Sequence, residues 1–401
     1  MNKKISLGLS LAVLFIAIAV TVAVTMSVSM RTYNNLIKDL PNRAQMYSSV
    51  SEIDDIVRSN YFGTVNESLL NSEIADGYAR GLGDQYSYYM TASEYAAYQN
   101  ELAGQKIGIG IVAFYDAAEN AVYAAEVSEN SPAAQGGISK GDKITEIDEE
   151  KVTALNYKEL IGKLSGDKLS SVKIRFVHDG KEKTESIVKG YSDRSVFNST
   201  NGSVGYVKII EFNAETAAQL KDTVNNMSKK DVVSIIFDLR GTSKGTIEYA
   251  AQTLDVLVPV TSEGTGALAT LKDKDGNVLD TYTADADSIS MQMMVLVNSE
   301  TSGPAELFAC DLRDYGKAKL VGTKTAGNAT AQKAYSLSNG GALMLTFAEV
   351  IPYVSESYNN KGLIPDYAVE LTEGQNKKLA ILAQSEDAQY KKAYALLSGE
   401  E

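Results

Sequence analysis

The chain has 401 residues, with 38 Lys+Arg against 51 Asp+Glu, one histidine and one cysteine. A net charge of −13 without a basic block makes attraction to a phosphate backbone unfavourable, which argues against nucleic acid as a partner. A lone Cys310 excludes an intramolecular disulfide, and a lone His178 beside it excludes a zinc cluster of Cys/His type. No set of His, Cys and carboxylates has ligand spacing, so neither metal nor cofactor is expected.

In chain order, residues 5–30 carry no charge and follow Lys3 and Lys4. That length predicts an N-terminal transmembrane helix, residues 1–31 forming the anchor. The run is longer than a signal-peptide apolar region and lacks an A-x-A site, which favours an uncleaved anchor. The two lysines put the N-terminus in the cytoplasm and the bulk of the chain outside the cell membrane. Residues 32–103 read as a helical region, since Val50 to Tyr98 has helical apolar spacing broken by Gly63 and by Gly81 to Gly83.

From 104 to 190 the pattern becomes a compact, mostly-β module. It contains an alternating run at 105–114, a Ser-Pro helix start at Ser131, and a hairpin signal at Asp179-Gly180. His178, next to that turn, is expected to be an exposed turn residue. Residues 191–371 alternate apolar strand-length runs (203–210, 232–240, 292–298) with helical stretches (215–227, 246–258, 305–316). This predicts an α/β domain whose largely parallel sheet is covered on both faces, with functional groups at the carboxyl ends of its strands. Cys310 falls on the apolar stripe of the last of those helices and reads as a buried, inert thiol. Residues 372–401 read as an exposed helical tail.

Five stretches, in order, carry a resemblance. "GLGDQYSYYMTASEY" (81–95), "IGIGIV" (107–112) with "SPAAQGGISKGDKITEID" (131–148), "IIFDLRG" (235–241), "TSGPAELFA" (301–309) with "VGTKTAGNATAQ" (321–332), and "KGLIPDYAVEL" (361–371) resemble the C-terminal processing peptidases, or tail-specific proteases. These are serine peptidases of the Ser/Lys type with a PDZ domain. The resemblance implies a mixed α/β peptidase core with an inserted mostly-β PDZ domain, and it spans nearly everything after the anchor.

The resemblance also fixes where the chemistry should be, and there the chain departs. The nucleophilic serine position falls on Gly303 and the general-base lysine position on Asn328. Gly303 has nothing to attack with, and an amide is no base near neutral pH. Gly303, Pro304 and Glu306 make a good helix start without chemistry, as N-cap, first position and dipole partner. The competing reading makes Ser302 the nucleophile with Lys324 as base, although Lys324 lies about 13 Å along a strand from position 328.

Gly245 and Pro304 mark the oxyanion region, with Lys244 where the first glycine of the family would stand. Arg240 is expected to order loops by ion pairing. Gly108, Ile109, Gly110 and Ile111 match the PDZ segment that holds an extended peptide and its terminal carboxylate. The chain is therefore expected to bind protein or peptide C-termini with its peptidase activity lost or reduced. An active serine endopeptidase using Ser302 is the alternative. A homo-oligomer or an active paralogue is a further possible partner.

Overall fold

The computed structural model describes residues 7–37, 40–259, 266–284 and 289–400. The chain divides into two units, residues 1–74 and 75–401. The first contains helices α1 (Leu7–Ile37) and α2 (Leu40–Asn60), and α3 (Glu67–Arg80) runs through the boundary. The apolar side chains from Leu14 to Met30 are exposed. Among the described residues, which include 7–31 of the expected anchor, no helix is long and apolar enough to cross a membrane; residues 1–6 of the anchor lie outside them.

In the second unit a short strand, β1 (Tyr88–Met90), precedes α4 (Ala92–Leu102), which Thr91 and Glu94 start with a capping box. The 32–103 region is thus not wholly helical. β1 pairs antiparallel with a strand of the core more than 250 residues away, Tyr88 opposite Met344.

The mostly-β module follows: β2 (Ile107–Gly108), β3 (Ile111–Asp116), β4 (Ala121–Val127), α5 (Pro132–Gln135), β5 (Lys143–Ile147), β6 (Glu150–Lys151), α6 (Tyr157–Gly162), β7 (Ser171–His178), β8 (Lys181–Val188) and β9 (Tyr191–Ser192). Its antiparallel sheet runs β3-β4-β5-β7-β8, and β2 pairs with β9 where the module rejoins the rest of the chain. Val122, Ile144, Leu160, Ile174 and Phe176 are fully buried in its own core. Asp179 and Gly180 both take positive φ, 48° and 73°, as a two-residue type I′ turn requires. His178 is not the free turn residue expected, because its Nδ1 lies 3.0 Å from the Asp142 carboxylate across the sheet.

The core begins with β10 (Val196–Asn201), β11 (Val204–Ile209), β12 (Glu211–Phe212), α7 (Thr216–Ser228), β13 (Ser234–Asp238), β14 (Lys244–Gly245) and α8 (Ile247–Asp255). It continues through β15 (Ala267–Lys272), β16 (Val278–Thr283), β17 (Gln292–Val297), α9 (Pro304–Asp314), β18 (Ala318–Gly322), β19 (Thr330–Ser336), β20 (Ala342–Ile351) and β21 (Tyr367–Ala368), and ends with α10 (Glu373–Lys377) and α11 (Ala388–Ser398). The main sheet runs β10-β11-β13-β17-β18-β21, parallel except for β10.

Alternate residues of the central strands serve opposite faces, which explains their unbroken apolar runs. Ile235, Phe237, Val295 and Leu320 face α7, α8 and α9, whereas Ile236, Leu296 and Val321 face Tyr390 and Ala393 of α11. The C-terminal segment is therefore a docked layer, not an exposed tail. Arg240, almost fully buried at the end of β13, ties it down with ion pairs of 2.6 Å to Asp238 and 2.7 Å to Asp387. A second sheet, β1-β20-β15-β16 with β19 on β20, completes the core.

Candidate functional site

Three loops converge at the carboxyl ends of the parallel strands: 239–245 after β13, 298–303 after β17 and 323–328 after β18. Backbone bonds hold them together, with Ser302 N–H donating to the Thr242 carbonyl (3.0 Å) and Ala326 N–H to the Thr301 carbonyl (3.1 Å). Fully buried Glu306, in the first turn of α9, does most of the joining. Its Oε2 accepts the N–H of Gly303 (3.1 Å) and of Asn328 (2.8 Å), while Oε1 accepts the Gly327 N–H (2.7 Å) and the Thr325 hydroxyl.

That clamp sets Gly303 and Asn328 face to face. A Cβ built on Gly303 would lie 3.4 Å from Asn328 Nδ2, in otherwise open space. Gly303 itself has φ 59° and ψ −115°, a conformation natural to glycine and strained for other residues. The Asn328 amide is aimed by Thr330, whose N–H and hydroxyl both donate to Oδ1. Ser302 and Asn328 line one cleft of about 320 Å³, together with Tyr86, Tyr88, Tyr98 and Lys244.

Among the described residues lining this cleft, Lys244 is the only amine. Burial works to lower its pKa, but the Glu101 carboxylate, with Nζ 2.6 Å from Oε1, together with Glu211 and Tyr88, raises it overall. It stays an ammonium and is no proton acceptor for Ser302. Lys324, the base of the Ser302 reading, is exposed, lies against Gly362 and does not line the cleft.

The two positions expected to mark an oxyanion region, Gly245 and Pro304, differ in what they offer. Gly245 has φ 111° and pairs in β14 so tightly with Phe212 of β12 that a Cβ would lie 2.1 Å from the Phe212 carbonyl oxygen, so only glycine fits. Pro304, at the first turn of α9, has no N–H to donate.

A second cleft of about 360 Å³ lies between the mostly-β module and the core, lined by Gly110, Ile111, Val112 and Ile161 on one side and by Phe197 and Thr242 on the other. Here the expected peptide-binding run needs correcting. Ile109 is 1% exposed in the module's own core, with its N–H on the Leu164 carbonyl (3.2 Å). The strand available to a peptide begins at Ile111, after the left-handed Gly110 (φ 84°) reverses the alternation.

Glu101, Glu211, Ser243 and Lys244 border both clefts. Burial, then the Glu101 carboxylate, push Glu211 up to about 7 from 4.5. The native state thus holds this proton more tightly than the unfolded chain. The stability that comes from it is complete below pH 4.5 and is lost as pH rises through 7. Denaturant midpoints should therefore fall more steeply over that interval in the natural chain than in Glu211→Gln; an equal or opposite slope contradicts the assignment.

One grouping was not visible as spacing. Cys310, Asp311 and Asp314 of α9 bring ligand-type atoms within 4.8 Å of one another. Asp314 is already taken up by the Val354 and Ser355 N–H groups and the Ser355 hydroxyl. Burial, then Asp314, push the Cys310 thiol up to about 12, as suits an inert core cysteine.

The geometry defines a peptidase-type α/β core joined to a PDZ module, and comparison with known proteins agrees. Residues 203–369 match the model of peptidase family S41, and residues 106–188 match that of the PDZ domain. A "Probable CtpA-like serine protease" of Staphylococcus aureus (strain MRSA252) is 25% identical over 325 residues, covering 80% of this chain and 64% of that protein. The equivalent protein of Staphylococcus haemolyticus is 25% identical over 311 residues, covering 77% and 62%. The chain thus spans under two thirds of the length of these curated relatives. An S41 protease structure from Bacteroides fragilis shares the fold, with TM-score 0.56, 19% identity, and coverage of 85% of this chain and 92% of that one. The S41 and PDZ domains and the likeness to CtpA-like serine proteases support assignment to the C-terminal processing peptidase family.

Proposed function

We propose that this protein binds protein C-termini through its PDZ groove and has lost the peptidase chemistry of its family. The observation that carries this reading is the facing pair Gly303 and Asn328, 3.4 Å apart where the Cβ of a nucleophile would stand. Attack on a peptide needs a hydroxyl and a neutral amine in hydrogen-bond reach. At these positions the chain has a hydrogen atom and an amide, and Pro304 removes a further N–H donor. Ser302 lines the same cleft, but the one amine there is the ammonium of Lys244.

Fluorescently labelled peptides with an apolar C-terminus test the binding. A free terminal carboxylate should bind at least about tenfold more tightly than the same peptide amidated, because a glycine-loop receptor recognises the charge. Equal affinities would refute C-terminus recognition.

The uncharged run at 5–30 supports a membrane anchor, with the domains outside the cytoplasm and Lys3 and Lys4 inside. On this reading the protein stays in the membrane pellet after an alkaline wash and is released by deletion of residues 1–31. Release of the intact chain by the wash would refute the anchor.

A further inference from the structure

One of the chain's own carboxylates stands against the glycine loop before β3. β2 pairs with β9, and the next residue, Asp193, is fixed by its N–H on the Lys106 carbonyl (2.9 Å). This register carries the Asp193 side chain onto the glycines. A Cβ on Gly108 would lie 3.0 Å from Asp193 Oδ1 and 3.3 Å from Oδ2. The Gly110 N–H favours the charge of the same carboxylate, and Lys106 Nζ lies 3.9 Å from Oδ2. Asp193, Lys106, Gly110 and Ile111 all line the one groove.

We propose that Asp193 is an internal occupant of the PDZ carboxylate site, which a ligand's C-terminal carboxylate enters only by displacing it. A backbone N–H and an ammonium together suit one carboxylate, and a second brought into the same space would be repelled. Burial, then the Glu101 charge nearby, work against the Asp193 carboxylate and push its pKa up to about 6. The occupant is therefore held under electrostatic cost and has somewhere better to go, since solvent relieves both terms. Gly108 and Gly110 matter here for closeness, because any side chain at 108 would meet Asp193.

This inference rests on the reading that the groove takes C-termini, and the test separates the two. Binding of an apolar peptide with a free C-terminus, and of its amidated form, is measured on the full chain and on Asp193→Asn and Asp193→Ala. If the receptor is free no more than about a tenth of the time, both variants bind the free-carboxylate peptide at least about tenfold more tightly. Affinity for the amidated peptide stays unchanged. The near-isosteric asparagine variant and a melting curve guard against an effect of misfolding. Equal affinities in natural chain and variants overturn the inference and leave C-terminus binding standing. A gain shared equally by the amidated peptide also overturns it, since Asp193 would then merely fill space. Failure of every form to bind either peptide removes the C-terminus reading and this inference with it.

Discussion

Replacing Glu306 by alanine should cost roughly 3–5 kcal/mol of stability and lower the melting temperature by on the order of 10 °C. Three backbone N–H groups, of Gly303, Gly327 and Asn328, and the Thr325 hydroxyl lose their acceptor together. All lie in buried or nearly buried surroundings, so water does not replace the carboxylate without opening the loops. Loss of the helix dipole partner at the third position of α9 adds a smaller term. Glu306→Gln keeps one acceptor oxygen but turns an NH₂ toward two donors, and should cost about half as much. Thermal and denaturant unfolding read both variants. An alanine variant within about 1 kcal/mol of the natural chain would show that the loops 298–303 and 323–328 are held by something else.

Restoring the dyad should raise peptidase activity by at least about 100-fold over the natural chain, because hydroxyl and base act as one unit worth several orders of magnitude. In Gly303→Ser the new Cβ meets only Asn328 Nδ2, at 3.4 Å, so space is available. Its cost is backbone strain at φ 59°, about 1–3 kcal/mol. Asn328→Lys then directs an amine into the cleft from the position that already faces residue 303. Neither single variant should gain, because a hydroxyl without a base and a base without a hydroxyl leave the same missing step. Adding Pro304→Ala supplies an N–H at the start of α9 and should raise the rate further, by roughly 10²–10³ if that group stabilises the oxyanion. Cleavage of an unstructured protein, followed by mass spectrometry, reads the series. A Gly303→Ser variant as active as the double variant would show that another group serves as base.

Much of the fold is legible in the sequence because its signals are local. The runs at 232–240 and 292–298 hold consecutive apolar residues at 235–237 and 293–297, which is what a strand covered on both faces requires, and they become β13 and β17. Asp179-Gly180 fixes its own turn through positive φ at both residues. What was not legible depends on partners far along the chain. β1 is three residues whose pairing lies on β20, and nothing near Tyr88 announces it. α11 reads as a tail because its apolar stripe is short, yet Arg240 meets Asp387 across 147 residues of sequence and holds it in place. Ile109 belongs to a clean alternation, but Gly110 at φ 84° breaks the phase and turns it into the core.

The candidate site divides in the same way. Gly303 and Asn328 are found by their place in motifs, and their facing geometry follows from the Glu306 clamp, of which only Glu306 itself was visible as a helix-start residue. Asp193 gave no signal at all, since a linker aspartate becomes significant only when β9 pairs with β2. Lys244 reads as a loop lysine until Glu101, from α4, is brought within 2.6 Å.

The most direct measurement is cleavage of an unstructured protein by the purified natural chain, beside its Ser302→Ala variant. The expected result is that the natural chain cleaves no faster than Ser302→Ala, with activity appearing only when Gly303→Ser and Asn328→Lys are combined. Cleavage by the natural chain that Ser302→Ala abolishes would contradict this account and make Ser302 the nucleophile of a working peptidase.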